Sequence, residues 1–233
     1  IRFSHRVRCQ IVETQVKSTL ILSSLLIRHK QRMKARRPSV QKTAEPNHGG
    51  PGVVRIISGQ WKGRKLPVLD VQGLRPTTDR VKETLFNWLM QDIHGKKVLD
   101  CFSGSGSLAL EALSRHAESA LLLEMDAKAA RQLNQHLKTL QCENAQVVQA
   151  DSLQYLAKPA ISQFDLVFID PPFRQGLVDK CCSLLENGWL TADALIYLEC
   201  EKELPISNLP SNWRIIKEKI AGQLAYRLLQ RQD

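Results

Sequence analysis

The chain has 233 residues, 43% of them hydrophobic and 24% charged, an ordinary globular make-up that excludes a fibrous, collagen-like or wholly disordered protein. The formal charge of +10 comes from 33 Lys/Arg against 23 Asp/Glu, but ten of the cations and only one acid, Glu13, fall in residues 1–40, so residues 41–233 are close to neutral. The six cysteines show no Cys-x-x-Cys spacing and the six histidines no His-x-x-x-His pair, which gives no reason to expect a metal site or a disulfide framework and fits a reducing, cytoplasmic compartment.

Residues 1–52 read as a basic, disordered extension and linker. The apolar run at 19–27 has nine residues, well short of the roughly 20 that span a bilayer. Basic residues from Arg28 to Arg37 stand where a signal-peptide cleavage site belongs. An Arg- and Ser-rich, acid-poor start is also the composition of an organellar presequence. Met33 opens a more usual polar leader, so residues 1–32 are expected to precede the native start. Prolines and glycines at 38–52 give a flexible linker, with order expected from Val53.

Residues 53–78 are predicted to form a β-hairpin arm. Between Arg55 and Lys82 there are seven Lys/Arg against Asp70 and Asp79, with Trp61 among them and Gly59 and Gly63 letting the chain bend. Lys62, Arg64, Lys65 and Arg75 on such a surface attract phosphate. The alternative is a solvated hairpin whose Trp61 packs on the main domain. The domain at 79–233 then opens with a helix from about Asp79 to Gln91, capped by Thr77 or Thr78, whose core face is Val81, Leu85, Trp88 and Leu89. Arg75, Thr77 and Arg80 gather at its start, in reach of a bound donor or a target nucleotide. An ordinary capped helix explains them nearly as well.

Lys97-Val-Leu-Asp100-Cys-Phe102-Ser-Gly104-Ser-Gly106-Ser107 reads as a buried strand, a glycine-rich turn and the start of an apolar helix running to about His116. Gly104 and Gly106 let the backbone turn tightly and approach a ligand, and Ser107 can cap the helix. A second strand at 119–124 ends in Glu124, where a carboxylate grips a ribose diol. Gly104-x-Gly106-x-x-Ala109 also fits a dinucleotide pattern, with Glu124 twenty positions after Gly104, so nicotinamide chemistry competes. Asp100 decides against it: a carboxylate just before the loop repels a pyrophosphate and suits the cationic aminoacyl end of S-adenosylmethionine. A helix at 127–140 and a strand at 145–150 lead to Asp151, placed either to accept from the adenine amino group or to cap the helix at 152–158. These two roles are compatible.

The apolar strand at 164–169 runs into Asp170-Pro171-Pro172-Phe173. An exocyclic amino group shares its lone pair with the ring, and becomes nucleophilic when acceptors hold its hydrogens. Asp170 and the Pro171 carbonyl are such acceptors, the two prolines stiffen the loop, and Phe173 offers a ring on which an extruded base stacks. A plain strand exit is the competing reading. A helix at 176–186, a strand at 194–200 and an antiparallel hairpin around Ala221-Gly222 complete the chain. The alternation of strands and helices means a doubly wound, mostly parallel α/β sheet.

From Arg55 to the C-terminus, about 180 residues, the chain resembles the bacterial 16S ribosomal RNA guanine-N(2)-methyltransferases of the RsmD family. The resemblance rests on Arg55-Ile-Ile-Ser-Gly-Gln-Trp-Lys-Gly-Arg-Lys-Leu-Pro67, Leu74-Arg-Pro-Thr-Thr-Asp-Arg-Val-Lys-Glu-Thr-Leu-Phe-Asn-Trp88, Asp100-Cys-Phe-Ser-Gly-Ser-Gly106 and Asp170-Pro-Pro-Phe173. It implies a seven-stranded, Rossmann-like class I S-adenosylmethionine-dependent fold, a monomer acting without membrane or metal, and methylation of one guanine in the small-subunit RNA, assembled or partly assembled. It implies a donor site at Asp100, Phe102, Gly104, Gly106, Glu124 and Asp151, with Thr77 and Arg80, and RNA contacts that include Arg174. Ser103 and Ser107 stand where the family more usually has Ala. The rivals are a DNA adenine methyltransferase, for which the 33 residues after Cys200 leave little room for target recognition, and a non-catalytic RNA-binding assembly factor.

Overall fold

Short apolar runs alternating with amphipathic helices bury fully only when helices cover both faces of one sheet, and that is the architecture adopted. The computed structural model describes residues 52–68, 79–205 and 208–233, all within the unit Gly49–Asp233. The extension at residues 1–51 and Arg75, Thr77 and Thr78 therefore lie outside the described residues. A hairpin of β1 (Val53–Arg55) and β2 (Lys65–Pro67) precedes α1 (Asp79–Trp88), β3 (Lys97–Asp100), α2 (Ser107–Ser114), β4 (Ser119–Glu124) and α3 (Ala127–Leu140). Then follow β5 (Ala145–Gln149), α4 (Ser152–Leu156), β6 (Phe164–Ile169), α5 (Leu177–Leu185), β7 (Leu190–Glu201), β8 (Trp213–Ala221) and β9 (Leu224–Arg231).

The main sheet has seven strands in the order β5-β4-β3-β6-β7-β9-β8. β5, β4, β3, β6 and β7 pair in parallel, and β9 lies antiparallel between β7 and β8. The chain winds outward from β3 through β4 to β5, then returns to β6 on the other side. The crevice at the carboxyl ends of β3 and β6 is thus the switch point at which open α/β sheets bind ligands. One core joins α1, α2, α3 and the small hairpin to one face of the sheet, with Phe86, Leu110, Leu133 and Phe168 among its buried residues. The other packs α4 and α5 on the opposite face around Trp189, Cys181 and Ile196.

Local details depart from expectation for identifiable reasons. Ser107 does not cap α2: Gly106 occupies the N-cap at φ 76° with no side-chain cap, so Ser107 is already helical, and its buried Oγ has no hydrogen-bond partner. Gly106 also packs closely on α3: a Cβ there lands 2.5 Å from Leu133 Cδ2. Strand β7 begins at Leu190, ahead of the expected 194, because Leu190 pairs with Phe164 across an irregularity in the β6–β7 ladder.

The small hairpin is docked rather than free. Val54, Ile56, Leu66 and Val68 are buried in the first core, and Trp61 packs against it, half-buried. The Glu111 carboxylate on α2, fully buried, accepts from Ile57 N–H at 2.7 Å and Ser58 N–H at 3.0 Å. The end of α2 holds the bend: Gln60 N–H donates to the Ser114 carbonyl at 2.8 Å and Trp61 N–H to Ser114 Oγ at 3.0 Å. Gly59, at φ 82°, approaches so closely that a Cβ would fall 1.8 Å from the Ser114 carbonyl oxygen. Lys82, buried on α1, donates to the Arg55 carbonyl at 2.5 Å, and burial lowers its pKa.

Candidate active site

Apolar strands that must be covered on both faces leave only their ends for polar side chains, and every candidate carboxylate sits at such an end. Asp100 closes β3, Glu124 closes β4, Asp151 follows β5 and Asp170 follows β6. The structure brings these four to one edge of four neighbouring strands.

On the β3–β5 side the main chain fixes the acids. Asp100 is 2% exposed. Burial pushes its pKa up to about 7, with Glu124's charge adding and the N–H groups of Ala109 and Phe102 opposing. Glu124 accepts from Gly104 N–H at 2.7 Å and Asp126 N–H at 2.8 Å, one on each oxygen. Its pKa is also raised, chiefly by burial, against those hydrogen bonds. Asp151 is the N-cap of α4 and accepts from Gln154 N–H at 2.9 Å. Each carboxylate oxygen has a second lone pair, so these bonds orient the acids without exhausting them. Among the described residues no Lys or Arg pairs with Asp100, Glu124 or Asp151. Three acids with no cation match a positively charged ligand and oppose a pyrophosphate. Phe102 is half-buried in the loop beside them.

On the β6 side Pro171 is buried and Phe173 keeps 42% of its surface exposed. Arg174 takes a left-handed conformation, φ 60°, its backbone N–H bonded to the Glu201 carboxylate at the end of β7 and its guanidinium 3.5 Å from Gln223 Oε1. The loop is therefore tied to the neighbouring strand and to the β8–β9 turn.

The structure adds groups that the motif reading missed. The β6–β7 ladder pairs Ile169 with Leu198, and one more step places Asp170 beside Glu199. Glu199 lies opposite Tyr226, and Tyr226 opposite Lys219. Glu199, Tyr226 and Lys219 thus form one row across β7, β9 and β8, on a single face because register partners share a face, and Asp170, the residue after β6, lies near enough for its charge to act on Tyr197 and Tyr226. Tyr197 donates to Glu199 Oε2 at 3.1 Å. Burial raises the Glu199 pKa to about 7. The available signal was an acid in the otherwise apolar strand Ala194-Leu-Ile-Tyr-Leu-Glu-Cys200.

Arg80, read above as a donor contact, lines a cleft with Thr84, Trp88, Tyr197, Tyr226 and Lys219 on this second side. Lys62 and Lys65 are exposed on the small hairpin. Arg64 is exposed too, but its guanidinium donates to the Thr139 carbonyl at 3.0 Å, which ties it to α3. Among the described residues no group of His, Cys, Asp and Glu is arranged to hold a metal ion, and no helix is long and apolar enough to cross a membrane.

Residues 54–230 match the family model described as Conserved hypothetical protein 95. Ribosomal RNA small subunit methyltransferase D of Escherichia coli (strain K12) is 54% identical over 189 residues, 81% of this chain and 95% of that protein. The protein of the same name from Haemophilus influenzae is 52% identical over 195 residues, covering 82% and 100%. The solved structure of yhhF from Escherichia coli superposes with a TM-score of 0.72 at 54% identity, over 78% of this chain and 99% of that one.

Proposed function

Because this chain belongs to the RsmD family of ribosomal RNA small subunit methyltransferases, we propose that it methylates the N2 amino group of one guanine in 16S ribosomal RNA, with S-adenosylmethionine as donor. The observation that carries the reading is the edge of four adjacent strands at which acids with no cation partner among the described residues meet the Asp170-Pro171-Pro172-Phe173 loop.

The residues present fit the donor. Asp100 lies where a cationic aminoacyl end is held, Glu124 where a ribose diol is held and Asp151 where an adenine amino group is held, with Phe102, Gly104 and Gly106 shaping the loop between them. When bound, S-adenosylmethionine supplies an electrophilic methyl, whose bond to sulfur breaks as its bond to the guanine nitrogen forms, leaving a neutral thioether. Asp170 and the Pro171 carbonyl accept hydrogen bonds from the two amino hydrogens, turning the lone pair out of conjugation and toward the methyl. The methylated ammonium is acidic, so Asp170 or solvent accepts the departing proton, and positioning supplies most of the rate. Pro172 stiffens the loop, and the exposed Phe173 ring stacks on the extruded base.

Lys62, Lys65 and Arg174, with Arg64 and Arg80, form the phosphate-facing surface in this reading, the small hairpin of β1 and β2 serving as its outer part. In this reading the protein works as a monomer in the cytoplasm on assembled or partly assembled small subunits. The test is to incubate small subunits from cells lacking this gene with labelled donor and map the modified base. Label at the N2 of one guanine is expected. Label on another base, or none, overturns the reading.

A further inference from the structure

Glu199 is 7% exposed, at the end of β7 beside the catalytic loop. A carboxylate so buried ordinarily needs a cation or several hydrogen bonds to offset lost hydration. Among the described residues it has no cation, and only the Tyr197 hydroxyl donates to it, at 3.1 Å. Its register partner is Tyr226, itself buried, and Asp170 follows the neighbouring strand β6. The burial that pushes the Glu199 pKa up to about 7 marks the same deficit. A carboxylate kept in this condition next to the reacting centre has capacity for a donor that the described residues do not provide.

Guanine has donors of the right kind on one edge. N1–H and the two N2 hydrogens point the same way, so an edge that offers N2 to Asp170 also presents N1–H within one strand spacing, about 4.8 Å. Adenine presents a bare lone pair at N1, which a carboxylate repels. We propose that Glu199, oriented by Tyr197, accepts the N1–H of the target guanine and so selects guanine, while Asp170 and the Pro171 carbonyl hold the amino group to be methylated. This rests on the guanine reading above and adds a specificity-determining residue to it. Ionised Glu199 is the accepting form, and a bound N1–H favours that form.

The experiment compares small subunits reconstituted with guanine or with 2-aminopurine at the modified position. 2-Aminopurine keeps the 2-amino group but has an acceptor at N1. Wild type is expected to use guanine well and 2-aminopurine poorly. Glu199→Gln is expected to lower kcat/KM on guanine about 10- to 100-fold, the worth of one charge-assisted hydrogen bond. It is also expected to use 2-aminopurine better than wild type does, because the amide N–H₂ can donate to N1. Donor affinity by calorimetry stays unchanged. Tyr197→Phe keeps the ring, frees the carboxylate and lowers use of guanine alone. Equal losses on both bases in either variant, or an unchanged rate on guanine, overturn the proposal. Wild type that leaves guanine unmodified overturns the function reading beneath it as well.

Discussion

The two halves of the site hold their acids by different means. On the β3–β5 side, Asp100, Glu124 and Asp151 are gripped by main-chain N–H groups of Phe102 and Ala109, Gly104 and Asp126, and Gln154. On the β6–β9 side Glu199 is held by a side chain, the Tyr197 hydroxyl, which donates to it at 3.1 Å. Main-chain bonds make an acid part of the local fold, so its loss damages loop and ligand site together. Side-chain bonds leave the fold largely indifferent to which polar group is present. The donor half is therefore predicted to fail in binding and stability, and the acceptor half in turnover and choice of base.

The largest effect that tests this contrast is Asp170→Ala. Methyl transfer should fall about 10²- to 10³-fold, the cost of removing one well-aimed acceptor, while calorimetric donor affinity stays within a factor of about two. A matching loss of donor affinity would erase the distinction between the halves. Asp100→Ala should do the reverse, weakening donor binding by about 1 to 3 kcal/mol and lowering the melting temperature, because the Phe102 and Ala109 N–H groups lose their acceptor. Full donor affinity in that variant would remove Asp100 from the donor site.

Next in size is a pH effect shared by the halves. The carboxyls of Asp100 and Glu199 are each raised to about 7 in the fold, from 3.8 and 4.5. The folded state thus binds protons that the unfolded state releases, so this stabilisation is complete below about pH 4 and is lost as pH rises through 7. Glu199→Gln removes one titration and should be more stable than wild type at pH 8 by about 1 to 3 kcal/mol, with the gap closing toward pH 5. Denaturant melts at the two pH values read it; a gap that widens at low pH has the wrong sign. The smallest effect is on RNA. Lys62→Gln with Lys65→Gln should flatten the slope of log affinity against log salt by about 1.4 to 1.8 if both contact phosphate, with donor affinity unmoved. Arg64 is left out because its bond to Thr139 would mix stability into the result.

The same contrast explains what the sequence made readable. Asp100, Gly104, Glu124 and Asp151 follow one another at successive strand ends, so spacing alone places them, and the Asp-Pro-Pro-Phe loop is a contiguous motif. Glu199, Tyr226 and Lys219 meet through strand register, and register is set by pairing between segments far apart in the chain. Nothing near Glu199 in sequence announces Asp170 as its neighbour. Ser107 was misread for a related reason: an N-cap depends on which residue takes the non-helical conformation, and Gly106 takes it. Arg64 and Trp61 looked alike as members of a basic arm, yet one ties to α3 and the other packs on the core. The buried Lys82 and Glu111 carried no pattern that separates them from surface charges on amphipathic helices.

Helix α2 is continuous with both ends of the working surface. Its first turn follows directly on the Gly104–Gly106 bend, and its last residues, Glu111 and Ser114, grip the small hairpin through its backbone. Eight residues of helix are about 12 Å long and resist stretching, since any extension breaks i to i−4 bonds. The molecule consequently carries a ruler: the span from the donor loop to the outer hairpin is set by a count of helical residues, and adding or deleting one would lengthen or shorten it by about 1.5 Å and swing the hairpin about 100° around the axis.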